Sequence, residues 1–126
     1  MVFDAVLLDA PCSAEGRMDL RDPRSYRFWS EKNIVAHAKL QRRLFRAAVR
    51  VLKPGGRLVY STCTLAPEEN ELMVDWALAE FPELRAEAVA LPVTTVKVHA
   101  NRSVTVLPTM EYEGAFVAKL IKKNTR

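Results

Sequence analysis

The fold of this chain is decided by the stretch LKPGGRLVYSTCTLAPEEN, residues 52–70. Residues 57–62 predict a strand, because branched and aromatic side chains favour extended backbone. Before this strand, Pro54 and the two glycines predict the end of a helix. After it, Pro67 suits the first turn of another helix. The stretch therefore predicts one helix–strand–helix unit of an α/β protein.

The preceding segments continue this alternation. Residues 3–9 predict a strand covered on both faces, because their apolar side chains are consecutive. Residues 10–29 predict a long loop. Residues 31–52 follow the 3.6-residue period of a helix and begin after Ser30, a favourable N-cap. The order strand, loop, helix, strand, helix is typical of a parallel sheet with covering helices.

The later part of the chain contains four short strand-like stretches, at residues 84–90, 93–100, 103–108 and 114–121. They predict an antiparallel hairpin at one edge of the sheet. Residues 1–126 are thus predicted to form one α/β domain. Because the chain opens with a strand that has the pattern of a buried one, we expect it to be the second half of a larger domain.

Composition narrows the classes of function. The 126 residues carry a net charge of +4, which permits an anionic partner without requiring one. No apolar run approaches the roughly 18 residues of a membrane span, and no secretory signal is evident, so we predict a cytoplasmic protein without a membrane partner. Two cysteines and two histidines at these spacings form no recognisable zinc site, so no metal is predicted.

Three chemically useful side chains follow the first two predicted strands. Asp9 and Cys12 come after one strand and Cys63 after the next, so in a parallel sheet they would share one edge. A cysteine thiolate attacks electron-poor carbon, and a nearby helix start would lower its pKa. Asp9 could hold or donate a proton if burial raised its own pKa. The spacing leaves open a second interpretation, in which both cysteines are packing residues.

Three motifs resemble the RNA (cytosine-5) methyltransferases of the NOL1/NOP2/Sun family: DAPCSAEG at 9–16, LKPGGRLVYSTCTLAPEEN at 52–70 and VLPTMEYEGAFVAKL at 106–120. The resemblance implies the C-terminal half of a Rossmann-like methyltransferase fold. It also implies S-adenosylmethionine as cofactor and rRNA or tRNA as substrate. The glycine-rich cofactor turn is expected before residue 1, so we expect this chain by itself to be inactive or weakly active.

The resemblance also implies roles for individual residues. Cys63 would attack C6 of the target cytosine, so that C5 can accept a methyl group, and Cys12 would help to break the resulting adduct. Asp9 would contact the cytosine ring near the methyl donor, and it is also the cofactor-binding residue that the resemblance implies in this chain. Family members usually carry glycine where this chain has Ala14, which would be costly if the position needs a positive φ. The alternative is a non-catalytic remnant or split-enzyme subunit that binds RNA or a partner protein.

The sequence indicates binding surfaces less specifically than it indicates the thiol site. Basic side chains on the outer face of the predicted helix could contact RNA phosphates, or could simply be solvated: Lys39, Arg43, Arg46 and Arg50. Trp29 and Tyr26 could stack on bases or pack within their loop, and we favour packing. If a front half is missing, the first strand exposes an apolar edge, which predicts self-association or pairing with that half.

Overall fold

A computed structural model describes residues 1–27 and 29–124, and its sheet contains six strands. The elements are β1 (Phe3–Asp9), α1 (Glu31–Val51), β2 (Leu52–Thr62), α2 (Glu71–Glu80), β3 (Leu84–Glu87), β4 (Val96–Val98), β5 (Val104–Val106) and β6 (Ala115–Lys122). Short 3₁₀ turns occupy Glu15–Arg17, Pro23–Ser25 and Pro67–Glu69. Among the described residues, neither α-helix has the length and apolar character to cross a bilayer.

The sheet combines parallel and antiparallel pairing. Its strand order is β1-β2-β6-β5-β4, with β3 also paired to β6. Strands β1 and β2 are parallel, and the other pairs are antiparallel. The predicted α/β class is confirmed, and the predicted hairpin is β4–β5 at the edge. The antiparallel part is larger than expected, because β6 lies beside β2 and holds β5 and β3 on its other side.

Both helices share one core with the sheet. Three aromatic side chains are fully buried: Phe45 of α1, Tyr60 of β2 and Phe116 of β6. The Tyr60 ring contacts both of the other rings. Met73 of α2 joins the same cluster. The buried residues of α1 recur at helical spacing: Ile34, Ala38, Gln41, Phe45, Ala48 and Val49. This packing fixes α1 against the strands whose ends carry the candidate site.

Three local predictions are corrected by the structure. Helix α1 ends at Val51, and residues 52–56 belong to β2, where an irregular register accommodates Pro54. Pro67 opens a 3₁₀ turn, whereas α2 begins only at Glu71. The described residues do not cover strand β1 on both faces, because its Leu7 side chain is 70% exposed. Among these residues its only pairing partner is β2, so β1 is an edge strand.

Candidate active site

The carboxyl ends of β1 and β2 bring the two cysteines together. Asp9 and Ser61 are register partners in this parallel pair, and the Ala10 N–H donates to the Ser61 carbonyl at 3.0 Å. The Sγ atoms of Cys12 and Cys63 are 2.9 Å apart, without a disulfide. The Cys63 N–H also donates to Cys12 Sγ at 3.3 Å. The two thiols therefore form one site at the edge where parallel α/β sheets bind ligands.

The electrostatics of Cys63 differ from the prediction. Burial, then the hydrogen bond and the charge of Cys12, raise the pKa of Cys63 to about 12, whereas the positive charge of Arg17 lowers it. The expected lowering by a helix start is wrong, because a helix dipole acts only near its first turn and α2 begins eight residues later, at Glu71. In this structure Cys63 is therefore a protonated thiol at neutral pH.

Asp9 lies at the same strand ends as the thiols but is exposed. Its Oδ1 accepts a hydrogen bond from Ser61 Oγ at 3.0 Å. The structure thus does not provide the burial on which a proton-holding role for Asp9 depends. It leaves an exposed carboxylate beside the site, able to contact a positively charged or hydrogen-bond-donating ligand.

The loop after Cys12 depends on close backbone contacts. The Gly16 N–H donates to the Cys63 carbonyl at 2.9 Å, and the Gly114 N–H donates to the Gly16 carbonyl at 2.8 Å. A Cβ atom at Gly16 would lie only 2.3 Å from the Gly114 oxygen, so glycine is required there. Ala14 has φ 61° and ψ 30°, the left-handed conformation, so the cost expected for alanine at this position applies to this chain.

Two further polar residues belong to the site, and sequence reasoning missed them. Glu69 and Asn70 are both fully buried. Glu69 accepts hydrogen bonds from Ser13 and Gln41. The available signal was Gln41, a polar residue at a helical position whose neighbours on the same face, Ala38 and Phe45, are apolar.

The structure does not gather the predicted RNA-contact residues at the thiols. All four are exposed on α1: Lys39, Arg43, Arg46 and Arg50. Gln41 reaches the site, and at 1.5 Å per residue Arg50 lies about 13 Å further along the helix. The Arg46 guanidinium lies over the Trp76 ring, 5.1 Å from its centroid. Lys39 and Arg43 are thus the members nearest the site, and the RNA contact stays a prediction.

The loop aromatics also differ from expectation. Trp29 is 44% exposed, and its Nε1–H donates to Glu15 Oε2 at 2.7 Å. The favoured interpretation, packing inside the loop, is therefore wrong for Trp29, whereas Tyr26 is half-buried. Within residues 1–27 and 29–124, no three His, Cys, Asp or Glu side chains are grouped so as to hold a metal ion.

Comparison with protein families matches residues 1–121 to the family described as 16S rRNA methyltransferase RsmB/F. A tRNA (cytosine(49)-C(5))-methyltransferase of Pyrococcus abyssi is 42% identical over 124 residues, which cover 98% of this chain and 36% of that protein. Ribosomal RNA small subunit methyltransferase F of Shigella flexneri is 42% identical over 128 residues, covering 96% of this chain and 26% of that protein.

Solved structures give the same result for the fold. The crystal structure of NSun6 from Pyrococcus horikoshii with SFG has a TM-score of 0.78 and 36% identity to this chain. The match covers 94% of this chain and 30% of that one. The chain thus has the fold of the corresponding part of these methyltransferases, and it spans little more than a third, or less, of the length of the relatives named here.

Proposed function

Because the chain belongs to the 16S rRNA methyltransferase RsmB/F family, which is part of the NOL1/NOP2/Sun methyltransferases, we propose that it carries the covalent catalytic site of an RNA (cytosine-5) methyltransferase. The observation that carries this proposal is the contact between the thiols of Cys12 and Cys63 at the carboxyl ends of two parallel strands. One of the two relatives is a tRNA methyltransferase and the other an rRNA methyltransferase, which supports rRNA or tRNA as the substrate class. We also propose that the protein acts in the cytoplasm.

In the proposed reaction, the Cys63 thiolate forms a bond to C6 of cytosine. The electrons of the C5–C6 double bond then make C5 nucleophilic, and C5 takes the methyl group. Loss of the C5 proton and cleavage of the Cys63–C6 bond restore the double bond and free the thiolate. Cys12 is the group proposed to assist this release, since its sulfur lies 2.9 Å from that of Cys63.

The resting site must open before this reaction. Two sulfur atoms 2.9 Å apart leave no space for a pyrimidine ring between them. Entry of the target base, removed from its stack, would separate the thiols. Separation weakens the hydrogen bond and the charge effect of Cys12, which are two of the causes that raise the Cys63 pKa, while the Arg17 charge remains. We therefore propose that entry of the base removes these two causes, whereas burial, the largest cause, continues to raise the pKa of Cys63.

S-adenosylmethionine, when bound, would supply the methyl group as an electrophilic carbon on a sulfonium. The Pyrococcus horikoshii structure contains SFG, an analogue of this cofactor. In the present chain, the exposed Asp9 carboxylate at the end of β1 suits a cationic sulfonium, since opposite charges attract. Asp9 is the one residue of this chain that the family resemblance assigns to the cofactor, so we propose that the chain by itself has weak or no turnover.

Strand β1 favours a second candidate function, that of a subunit in a split enzyme. Its Phe3 and Leu7 side chains are 46% and 70% exposed, and among the described residues it pairs only with β2. An apolar edge strand of this kind is a template for further strand pairing. We propose that a cofactor-binding segment, or a second copy of the chain, covers this surface.

A trapping experiment tests both candidates. The purified chain is incubated with S-adenosylmethionine and RNA containing 5-fluorocytosine, which lacks the C5 proton needed for release, with and without the cofactor-binding segment of a relative. We expect a covalent protein–RNA adduct on a denaturing gel, lost in Cys63→Ala and retained in Cys12→Ala. An adduct only when the segment is supplied identifies a split enzyme. No adduct under any condition overturns the catalytic proposal in favour of a non-catalytic remnant.

A further inference from the structure

The carboxylate of Glu69 is fully buried and is surrounded by hydrogen-bond donors. Its Oε1 accepts from the Ser13 N–H at 2.9 Å and from Gln41 Nε2 at 3.0 Å, and its Oε2 accepts from Ser13 Oγ at 2.5 Å. Burial of a carboxyl group is unfavourable unless such bonds compensate for the loss of water. A costly group of this kind, placed beside two reactive thiols, calls for a role other than packing.

These bonds join the loop of Cys12 to the loop of Cys63. Ser13 directly follows Cys12, and its hydroxyl also contacts the Thr64 hydroxyl at 2.7 Å, one residue after Cys63. A single carboxylate thus ties together the residues that follow both cysteines.

Gln41 completes the link on the other side of Cys12. Its Nε2 donates both to Glu69 and to the Pro11 carbonyl, at 2.8 Å for the latter. Its Oε1 is buried and has no hydrogen-bond partner among the described residues. An unpaired buried oxygen is unfavourable, so this side chain is placed to make its two donated bonds although its oxygen has no partner.

Asn70 holds the residues on both sides of Cys63. Its Oδ1 accepts from Thr62 Oγ1 at 2.6 Å, and its Nδ2 donates to the Thr64 carbonyl at 2.9 Å. Thr62, Thr64 and Asn70 are all buried, so water does not compete for these bonds. The neighbouring residues 69 and 70 thus fix the backbone around both cysteines.

We propose that Glu69 and Asn70 are positioning residues that hold the Cys12 and Cys63 thiols in contact. The proposal gives Glu69 and Asn70 the role of fixing the geometry of the thiol pair. Its catalytic meaning rests on the proposed function. The thiol geometry itself can be measured without RNA, cofactor or turnover, so failure of one proposal is distinguishable from failure of the other.

The test is the equilibrium of the purified chain with glutathione. Two electrons pass from the thiols of Cys12 and Cys63 to glutathione disulfide, which gives one intramolecular disulfide, two glutathione molecules and no net change in protons. The fraction oxidised, measured by mass spectrometry, reports how well the two sulfurs are held together. We expect Glu69→Gln to lower this equilibrium constant by about 10- to 100-fold, since small displacements of reacting groups greatly reduce effective molarity.

Two matched variants separate positioning from general destabilisation. Glu68→Gln removes the neighbouring exposed carboxylate and should leave the constant unchanged. Leu84→Ala removes buried apolar atoms from β3, which contributes no residue to either thiol loop, and should reduce stability but not the constant. If Glu69→Gln fails to fold, Ser13→Ala is read in its place with the same expected loss. Equal constants for wild type, Glu69→Gln and Ser13→Ala, or no intramolecular disulfide in wild type, would overturn the proposal.

Discussion

Replacing Gly16 by alanine should damage both the stability of the chain and its thiol site. The new methyl carbon would lie 2.3 Å from the Gly114 carbonyl oxygen and 2.7 Å from the Cys63 carbonyl oxygen. The Cys63 oxygen accepts the Gly16 N–H at 2.9 Å, and the N–H of Gly114 donates to the Gly16 oxygen at 2.8 Å, so both neighbours are held close to Gly16 by backbone hydrogen bonds. The clash can therefore be relieved only by moving the Cys12 loop away from Cys63 and from the residue before β6.

The size of the effect follows from these contacts. Overpacking typically costs about 1–3 kcal/mol, and each of two weakened backbone hydrogen bonds adds about 1 kcal/mol. Alanine has a lower conformational entropy than glycine in the unfolded chain, which by itself stabilises the folded variant by about 0.4–1 kcal/mol. The expected net loss is about 2–4 kcal/mol in the free energy of unfolding.

Ala14→Gly is the matched control, because it makes the opposite exchange two residues away. Ala14 has φ 61°, a conformation that costs an L-residue about 1–2 kcal/mol. The higher entropy of glycine in the unfolded chain opposes this relief of strain. We therefore expect a net gain of about 0.5–1 kcal/mol in the free energy of unfolding. The two opposite exchanges should thus change the stability in opposite directions, because glycine is favoured over alanine at both positions of this loop.

Urea unfolding of wild type and both variants measures these free energies, with the denaturant slope as a check that unfolding exposes the same surface. The reasoning would be refuted if Gly16→Ala stayed within about 0.5 kcal/mol of wild type, the range of ordinary surface substitutions. A loss of stability in Ala14→Gly would equally contradict it, since the left-handed backbone would then carry no strain.

Other predictions concern reactivity, association and RNA. Cys12→Ala should lower the pKa of Cys63 from about 12, so that iodoacetamide alkylates Cys63 faster at a pH of about 9; an unchanged rate by peptide mass spectrometry would contradict this. Wild type should self-associate in light scattering and Leu7→Lys should not, whereas a monodisperse wild-type monomer would exclude association through β1. Arg43→Ala should weaken RNA binding and should reduce by about 1 the slope of the logarithm of the binding constant against the logarithm of the salt concentration. Arg50→Ala, which lies further from the thiols, should change neither quantity. Equal effects of the two variants would contradict the prediction that Arg43 lies nearer the bound RNA.

The placement of the thiols at one sheet edge was predictable because its causes are local. The apolar run of β1 and the strand after Gly56 each show in a few consecutive residues. Once two such strands are parallel, their carboxyl ends must meet at the same edge. The family resemblance implied a cost for Ala14 if its position needs a positive φ, and the observed φ of 61° meets that condition.

The pairing of β6 could not be read in the same way. Its alternation of buried and half-buried residues predicts a strand but not its neighbours. In the folded chain it pairs with β2, more than fifty residues earlier, on one side and with β3 and β5 on the other. Burial of Phe116 and Leu120 against both helices decides that arrangement, which is a property of the assembled core.

The sequence by itself determined the strand ends, the two cysteines that follow them and the family to which the chain belongs. Only the tertiary structure decided that the sulfurs touch, that burial raises the pKa of Cys63, and that Glu69 lies between the two loops. The physical reason is distance along the chain. Ser13 and Glu69 are separated by 56 residues, so the desolvation and hydrogen bonding that define the site exist only after the sheet and α1 have packed together.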